Sequence, residues 1–429
     1  MKSTVAVIGA GIVGLSCAYY LRREGHDVIV IDRERQERDG ASFGNAGMIV
    51  PSHFVPLAAP GVIEQGLRWM RDPASPFYFR PRLSRALMQW GYHFWRASRQ
   101  SRVDAAAPLL LQLNLASQRE YRELEHDLGG FGLEQSGLLL LCATEHGLTD
   151  ESRVAVHARS LGLEANVLAR ADLAALEPDI AIEAIGAVHY TGDSHLDPGA
   201  YLAVLERWLV EHGVEFRWSF NVSSLATASG KVTGVNSQQG SVRADAVVLA
   251  AGSWSSKLAR TAGVSLLIEP GKGYSLTVPM ENQRLKTPAI LSEARVAVSP
   301  LGARLRVGGT MELTGFGPSN SHARVKGIVD SATRYLPGLD KHALLTAKQW
   351  QGLRPCTPDG LPYLGRDAAH PNLVIATGHA MMGVSLAPIT GRLVADLLAG
   401  RGSLIDVAAL DPRRHQGRTL RTGEQGVTA

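Results

Sequence analysis

A glycine-rich turn near the N-terminus constrains the fold of this chain more than any other feature. The apolar run at 5–8 leads directly into Gly9-Ala10-Gly11-Ile12-Val13-Gly14, a GxGxxG pattern at the point where a parallel strand would meet a helix. Helical spacing continues to Leu21, Gly25 ends the helix, and a second apolar strand ends at Asp32. The segment therefore predicts a β-α-β unit that binds a dinucleotide.

The glycines and the acid of this unit have separate expected roles. Glycine permits the tight turn, close approach of the backbone to a pyrophosphate and close packing of the helix on the strand, while the helix N-terminus favours negative charge. Asp32, 18 residues after Gly14, is expected to accept the hydroxyls of an adenosine ribose. The residues of the unit expected to contact the cofactor are Gly9, Gly11, Ile12, Val13, Gly14, Asp32 and Arg33.

Composition excludes several other classes of protein. The 429 residues are 45% hydrophobic and 20% charged, as in globular proteins of two or three domains. A net charge of +4 and the lack of a reader motif give no sign of a nucleic-acid partner. Three cysteines, Cys17, Cys142 and Cys356, are too few for a disulfide framework. With no room for a signal peptide before the first strand and no apolar run long enough to span a bilayer, we expect a cytoplasmic protein.

Segments beyond the first unit favour FAD over NAD. Residues 40–48 are small and glycine-rich, which suits close approach of the backbone to a flat ring, and an NAD domain has no use for such a segment there. Two further buried strands end in small residues, one at Gly252 and one at Gly378. The second leads into a helix that ends near Leu398, whose free N–H groups could stabilise negative charge on a reduced flavin.

Together these segments resemble the FAD-dependent amine oxidoreductases of the D-amino-acid oxidase, glycine oxidase and D-amino-acid dehydrogenase superfamily, over nearly the whole chain. The bacterial D-amino-acid dehydrogenase branch is most similar, through residues 42–47, 56–62 and 271–275, and some members of that branch oxidise cyclic imino acids such as D-hydroxyproline. Relatives often carry Glu where this chain has Asp32, which is one methylene shorter. No tethering His or Cys can be assigned, so the resemblance implies FAD bound without a covalent link.

The same resemblance implies where the cofactor lies. Residues 42–48 are expected along the flavin, Val222 near the adenine, and residues 378–384 at the pyrimidine edge of the flavin. Beyond the first unit, the residues expected to contact FAD are Ala41, Ser42, Asn45, Ala46, Gly47, Met48, Val222, Ala251, Gly252, Trp254, Gly378, His379, Met381, Met382, Gly383 and Val384.

Two interleaved domains are predicted, one of α/β and one of α+β type. The Rossmann-type FAD-binding domain is assigned residues 1–58, 165–264 and 345–415, and the substrate-binding domain residues 59–164 and 265–344, with 416–429 as a C-terminal tail.

Local patterns predict the elements of both domains. In the FAD domain they predict a helix from Asp197-Pro198 to Gly213, a strand at 214–218 and a hairpin turning at Ser229-Gly230. In the substrate domain they predict an antiparallel sheet over 268–313, with a turn at 299–302, and helices at 108–128 and 149–161.

Arg354 is the residue predicted to bind substrate. The proline-studded segment 352–362 is interpreted as a rigid loop, and a fixed guanidinium matches an amino-acid carboxylate bidentately. In the family the matching arginine binds that carboxylate. Tyr274 is expected to hydrogen-bond the carboxylate or shield the pocket, and His53 and His379 to border it, although a purely structural role is open for all three.

Asp193, His195 and Asp197 have the residue types of a small metal cluster. We expect no metal there, because Asp197-Pro198 is already explained as the start of a helix and the spacing alone is weak evidence.

Three functions are consistent with this sequence. The first is a dehydrogenase of D-amino or cyclic imino acids, such as D-proline or D-hydroxyproline, that transfers a hydride from Cα to flavin N5 and passes electrons to a quinone or other carrier. The second is an oxygen-using oxidase of glycine or sarcosine type. Glycine oxidases commonly carry another arginine where this chain has residues 379–382, which favours an apolar pocket here. The third is a flavin-holding subunit whose catalysis needs partner chains.

The arginine–aromatic segment, residues 68–102, combines a local charge of +7 with eight aromatic side chains. Its arginines are Arg68, Arg71, Arg80, Arg82, Arg85, Arg96, Arg99 and Arg102, against the single acid Asp72. Such a segment could lie on the inner face of the cell membrane, where a quinone would be found, or could pack its aromatics inward with the arginines in water.

Overall fold

The computed structural model describes residues 2–416 except 71, 73, 281–283, 318–320 and 403–404, so Arg71 and nearly all of the predicted C-terminal tail lie outside the described residues. The strands are β1 Thr4–Ile8, β2 Asp27–Ile31, β3 Met48–Ile49, β4 Phe77–Phe79, β5 Leu138–Cys142, β6 Asn166–Ala169, β7 Gly186–Tyr190, β8 Ser194–His195, β9 Glu215–Arg217, β10 Val222–Ala228, β11 Lys231–Ser237, β12 Gly240–Arg243, β13 Ala246–Leu249, β14 Glu269–Pro279, β15 Ala289–Leu291, β16 Val296–Leu301, β17 Arg304–Leu313, β18 Trp350–Cys356, β19 Tyr363–Arg366 and β20 Leu373–Thr377. The helices are α1 Ile12–Arg23, α2 Val62–Trp69, α3 Arg85–Ala97, α4 Gln100–Asp127, α5 Glu145–Ser160, α6 Arg170–Leu176, α7 Pro198–Glu211, α8 Ser255–Thr261, α9 Ser321–Tyr335, α10 Lys341–Thr346 and α11 Gly383–Ala399.

The first sheet has the order β19-β20-β13-β1-β2-β9 and is parallel except for the edge strand β19. β1 and its neighbour β13 are almost entirely apolar and buried, as expected for parallel strands covered on both faces. Helices α1, α7 and α11 contribute to the core on one side, with Leu15, Leu205 and Leu393 fully or almost fully buried. The predicted Rossmann-type unit is confirmed.

The second sheet has the order β18-β14-β17-β16-β15-β5-β7-β6, with β4 paired to β17. It is mostly antiparallel, and the predicted turn between β16 and β17 is confirmed at Gly302, whose φ is +62°. A separate three-stranded sheet, β10-β11-β12, contains the predicted hairpin, with Ser229 and Gly230 both at positive φ. The mixed α/β and α+β class is therefore confirmed.

Strand pairing and packing join elements across the predicted domain boundaries at three places, and the division into domains stays a prediction. β6 and β7 pair with each other and with β5 in the second sheet, although residues 165–190 were assigned to the FAD domain. β18 likewise belongs to the second sheet, as an edge strand on β14. Helix α4 begins at Gln100, before the predicted 108, and its residues Leu110 and Tyr121 join the core of α1 and α11. Short strands and amphipathic helices do not reveal from sequence alone which sheet they cover.

Arg354 is consequently in a strand and not in the predicted loop. The ladder partner of β18 is β14, and an edge strand tolerates Pro355 because the other side of its backbone needs no continuous ladder.

Candidate active site

A cavity of about 1760 Å³ is lined by residues of both sheets and of the segment that connects them. Gly9 lies where β1 meets α1, at a φ of +110°, and a Cβ there would come within 2.5 Å of the Ala250 carbonyl oxygen. A Cβ on Gly14 would collide with the Gly9 carbonyl. The glycines therefore bring α1, β1 and β13 into close contact, and the N-terminus of α1 opens into the cavity.

Most of the predicted FAD-contacting residues line this one cavity. Gly14, Gly47 and Gly378 instead lie behind its wall, where their lack of a side chain shapes the backbone. A Cβ on Gly47 would collide with the Leu196 carbonyl, and one on Gly378 would lie 2.6 Å from Thr357. The predicted residues on the wall are Gly9, Gly11, Ile12, Val13, Asp32, Arg33, Ala41, Ser42, Asn45, Ala46, Met48, Val222, Ala251, Gly252, Trp254, His379, Met381, Met382, Gly383 and Val384.

Asp32 stabilises the end of the cavity where a dinucleotide would place its adenosine. Its Oδ2 accepts from the Ala10 N–H at 2.7 Å and its Oδ1 from the Glu34 N–H at 2.9 Å. A carboxylate has about four acceptor sites, so two remain for ribose hydroxyls. The guanidinium of Arg33 lies 3.6 Å from the ring centre of Trp254, and both line the cavity. This stack adds a flat wall on the adenosine side.

Two residues that sequence analysis missed hold the flavin segment, defined here as residues 40–48. Arg306, which is 8% exposed, donates from Nη1 to the carbonyls of Phe43 at 2.8 Å and Asn45 at 2.7 Å. Trp350 lies against Gly44 so closely that a Cβ on that glycine would overlap its ring. Arg306 reaches across from β17 and Trp350 from β18, so the second sheet holds the flavin segment in place. Neither contact has a local sequence signal, since each joins residues more than 250 apart.

The N-terminus of α11 also opens into the cavity, at the edge where the flavin pyrimidine is expected. Met382 is the N-cap and supplies no side-chain hydrogen bond, so the first N–H groups of the helix lack a capping side chain. The preceding turn contains Gly378 at a φ of +82° and Ala380 at +47°. Uncapped N–H groups of a long helix favour an anionic ligand.

Arg354 lines the cavity and makes no ion pair with any of the described residues. Its Nη1 donates to the Thr310 carbonyl at 2.7 Å. Thr310 has a φ of +67° beside an irregularity in the β14–β17 register, so a bulge turns this carbonyl toward the arginine. Burial lowers the pKa of Arg354, but a guanidinium stays protonated. The other N–H groups of Arg354 can bind a planar anion in the cavity.

Tyr274 and His379 line the cavity, but the Tyr274 hydroxyl and the Nε2 atom of His379 contact other side chains. The Tyr274 hydroxyl donates to Glu312 at 2.7 Å, and Glu312 accepts from Arg324 at 3.1 Å. His379 Nε2 lies 3.0 Å from the Thr390 hydroxyl, and burial lowers the pKa of His379 to about 4, so it is neutral at pH 7. Their roles toward substrate stay predictions.

His53 borders the cavity as predicted, with Nδ1 at 3.2 Å from Ser52 Oγ. Burial, with a smaller contribution from Arg295, lowers the pKa of His53 to about 4. Its role toward substrate stays a prediction.

The three residues considered as metal ligands, Asp193, His195 and Asp197, have separate partners. Asp197 caps α7 through the Gly199 N–H at 2.9 Å, which confirms the predicted helix start, and pairs with Arg304 at 2.5 Å. Asp193 accepts two hydrogen bonds from Ser52. Within the described ranges, no group of three metal-ligating side chains has the arrangement of a metal site.

Helix α3 divides the arginine–aromatic segment into two faces. Trp90 and Phe94 stack with their ring centres 4.9 Å apart and line the cavity. Tyr92 and Trp95 are each 53% exposed on the other face, beside exposed arginines. Inward packing, one of the two alternatives offered by the sequence, is present for Trp90 and Phe94, and contact with a membrane stays a prediction. Among the described helices none is long and apolar enough to cross a membrane.

The fold and the cavity define a flavin-dependent oxidoreductase. The chain matches the family model described as "FAD dependent oxidoreductase" over residues 4–397 and belongs to that family, which confirms the resemblance found in the sequence.

Curated relatives agree over nearly the full length. The D-amino acid dehydrogenase of Granulibacter bethesdensis is 33% identical over 419 residues, covering 96% of this chain and 100% of the relative. That of Paramagnetospirillum magneticum is 35% identical and covers 95% of this chain and 97% of the relative. Among solved structures, glycine oxidase from Geobacillus kaustophilus superposes with a TM-score of 0.77 at 25% identity, covering 97% of this chain and 100% of that one. L-proline dehydrogenase from P. horikoshii, at 20% identity and a TM-score of 0.71, covers 96% of this chain and 97% of that one and supports the fold.

Proposed function

We propose that this FAD-dependent enzyme dehydrogenates D-amino acids or cyclic imino acids of the proline type and passes the electrons to a quinone or another carrier. The observation that carries the proposal is Arg354, a cation that faces a large cavity without a carboxylate partner in the described part of the chain. A desolvated guanidinium with free N–H groups requires an anion, and an amino-acid carboxylate has the matching planar shape. Relatives named D-amino acid dehydrogenase over the whole chain length support this substrate class.

The residues present fit FAD. The packing around the expected cofactor leaves no room for a Cβ at Gly9, Gly14 or Gly44. The N-termini of α1 and α11 open toward the expected pyrophosphate and pyrimidine. Asp32 would hold the ribose, and the flavin segment would lie along the ring system. When bound, the flavin supplies the acceptor for a hydride from the substrate Cα. Within this frame Arg354 would orient the substrate by its carboxylate, which is the main contribution the protein needs to make.

The apolar end of the cavity supports a compact substrate side chain. Trp90 and Phe94 from α3, Phe77 and Phe79 from β4 and Met311 from β17 form one cluster that lines the cavity and includes Cys356 beside Arg354. Met381 and Met382 also line the cavity, and methionine packs well against irregular apolar ligands. A saturated ring such as that of proline suits these walls better than a charged side chain does.

A substrate screen tests the proposal. Purified holoenzyme is mixed anaerobically with D- and L-forms of amino acids, proline and hydroxyproline, while flavin bleaching is followed. We expect bleaching by D-forms, fastest with secondary amines. Bleaching by L-forms alone would contradict the proposal. Reoxidation by a quinone analogue but not by oxygen would distinguish a dehydrogenase from an oxidase, and bleaching by the single chain would exclude a need for partner subunits.

We further propose that the outer face of α3 contacts the inner face of the cell membrane. Met88 is 63% exposed there, next to Tyr92 and Trp95, and the guanidinium of Arg99 lies 5.0 Å from the Trp95 ring centre. Exposed aromatics beside cations suit the interface of an anionic bilayer, where a quinone acceptor would be reached.

Cosedimentation with phosphatidylglycerol vesicles at low salt tests this contact. We expect binding by the wild type and loss of binding when Arg96, Arg99 and Arg102 are changed to Glu. A charge-matched control changes three exposed arginines far along the chain to Glu, namely Arg207, Arg243 and Arg260. Equal recovery of wild type in the supernatant with and without vesicles would contradict membrane contact.

A further inference from the structure

A buried hydrogen-bonded chain leads from the cavity to a carboxylate that has no cationic partner among the described residues. Asp193 is 2% exposed, and its Oδ2 accepts from the Ser52 hydroxyl at 2.5 Å while Oδ1 accepts from the Ser52 N–H at 3.2 Å. Ser52 Oγ lies 3.2 Å from Nδ1 of His53, whose ring borders the cavity. The three side chains therefore form a continuous path from the cavity to the interior.

The donors and acceptors of these three side chains determine which atom carries each proton along this path. Ser52 has one hydroxyl proton, and an ionised Asp193 can only accept, so Ser52 donates to Asp193 and accepts from His53. Nδ1 of His53 then carries the proton, and Nε2 has a free lone pair. If Asp193 is protonated, each bond reverses: Asp193 donates to Ser52, Ser52 donates to Nδ1, and Nε2 carries the proton. Both states satisfy Asp193 Oδ2, Ser52 Oγ and His53 Nδ1, and they differ at Nε2 of the ring that borders the cavity.

We propose that His53, Ser52 and Asp193 relay the proton that the substrate ammonium loses before hydride transfer, an inference that rests on the proposed function. The lone pair on His53 Nε2 takes a proton from the substrate nitrogen, the Nδ1 proton moves to Ser52 Oγ, and the Ser52 hydroxyl proton moves to Asp193 Oδ2. The substrate becomes a neutral amine, the carboxylate becomes a neutral acid, and His53 changes tautomer without gaining charge. The proton returns along the same path to solvent after the product has left.

The electrostatic surroundings favour this direction of transfer. Burial and Arg295, on the turn between β15 and β16, disfavour a charged His53, whose pKa is lowered to about 4. Burial raises the pKa of Asp193 to about 7, so its neutral form is accessible at physiological pH. Tyr190 on β7 faces Asp193, and Glu151 on α5 faces Tyr190. Of the two titratable groups on the path, His53 and Asp193, only Asp193 is shifted by burial toward its protonated form.

The second cavity histidine offers no such path. His379 Nε2 contacts the Thr390 hydroxyl, which donates its own proton to the Leu386 carbonyl at 2.7 Å. A carbonyl cannot pass a proton onward, so a proton taken by His379 would have nowhere to move. His379 therefore lacks a route for a proton comparable to that of His53.

Rapid-mixing reduction of purified holoenzyme between pH 5.5 and 9 tests the relay. In the wild type, the rate constant of flavin reduction should decline toward low pH, because the relay needs an ionised Asp193. We expect Ser52→Ala to lower this rate constant at pH 7 by about 100-fold, within the usual range for general acid–base catalysis, and to remove the decline. Ser52→Thr keeps the hydroxyl and is expected to restore the rate. Ser136→Ala is the matched control, because Ser136 contacts Nδ1 of His195 at 3.3 Å away from the cavity. A Ser52→Ala rate within threefold of wild type at every pH would overturn the relay.

Histidine ¹⁵N NMR of the same holoenzyme needs no substrate. We expect His53 to be neutral, with its proton on Nδ1 near pH 8.5 and on Nε2 near pH 5.5, and Asp193→Asn to remove this change. A tautomer that stays constant over this range would overturn the relay even if substrate is oxidised. A wild-type flavin that no amino or imino acid reduces would contradict the proposed function instead.

Discussion

Gly273 lies directly against the guanidinium of Arg354. The two residues are on neighbouring strands, β14 and β18, and a Cβ on Gly273 would overlap the Cζ and both terminal nitrogens of the arginine. On the other side, the Thr310 carbonyl accepts from Arg354 Nη1 at 2.7 Å. The space left by Gly273 and the hydrogen bond to the Thr310 carbonyl together position the guanidinium that is expected to bind substrate.

Gly273→Ala should therefore displace Arg354 without changing any atom of the arginine. We expect kcat/KM to fall at least about tenfold, since orientation of bound substrate supplies much of the rate enhancement. The flavin-to-protein ratio should stay at the wild-type value. Gly402→Ala is the control, because Gly402 has open space around it and no φ restriction. Steady-state kinetics equal to those of the control would show that Arg354 does not need this space.

Arg354→Lys removes the bidentate geometry but keeps the charge. We expect a loss of about 2–4 kcal/mol in transition-state stabilisation, measured from kcat/KM, with FAD content unchanged. Arg85→Lys, at an exposed residue of α3, should have no effect. A loss smaller than threefold would remove Arg354 from the substrate site.

Arg306→Gln tests how the flavin segment is held. The substitution leaves the carbonyls of Phe43 and Asn45 without their buried donor, at a cost of about 1–3 kcal/mol for an unsatisfied group, so the Kd for FAD should rise about tenfold or more. The control is Arg304→Gln, the same substitution at an arginine two residues earlier, whose side chain is half exposed and pairs with Asp197. Equal FAD affinity of the two variants, measured by flavin fluorescence, would argue against this role of Arg306.

Sequence patterns were sufficient for parts of the molecule with strong local signals. The β1–α1–β2 unit, the hairpin at Ser229-Gly230 and the helix capped by Asp197 depend on neighbouring residues only, and all are confirmed. Arg306 and Trp350 were missed because their contacts with the flavin segment depend on the packing of two sheets. The loop predicted over 352–362 was wrong for residues 352–356, because Pro355 conceals an edge strand that differs from a loop only by pairing with distant β14.

The stability of the holoenzyme should depend on pH through Asp193. Burial raises the pKa of Asp193 to about 7, above its usual 3.8, so the folded state holds a proton that the unfolded chain has released. This contribution is complete at low pH and is lost as pH rises from about 4 to 7. Asp193→Asn should remove it. The variant's free energy of unfolding relative to wild type should therefore increase by about 2–3 kcal/mol between pH 5 and pH 8. Urea unfolding with saturating FAD measures this, and a pH-independent difference would contradict the raised pKa.

FAD should be bound without a covalent link. His53 and His379, the cavity histidines discussed above, have their ring contacts with Ser52 and Thr390, and neither is expected to tether the cofactor. Precipitation with acid should release all yellow colour into the supernatant. Colour retained in the pellet after unfolding would show a covalent bond.

The strand order of the first sheet limits when the protein can mature during synthesis. β1 is complete after eight residues, but its neighbour β13 begins at Ala246 and the next strand, β20, at Leu373. Gly9 also depends on Ala250 for its packing. A ribosome must therefore release most of the chain before the phosphate-binding turn gains its native surroundings. Until then the apolar strand and helix at the N-terminus need protection from aggregation, and cofactor loading belongs to the last stage of biogenesis.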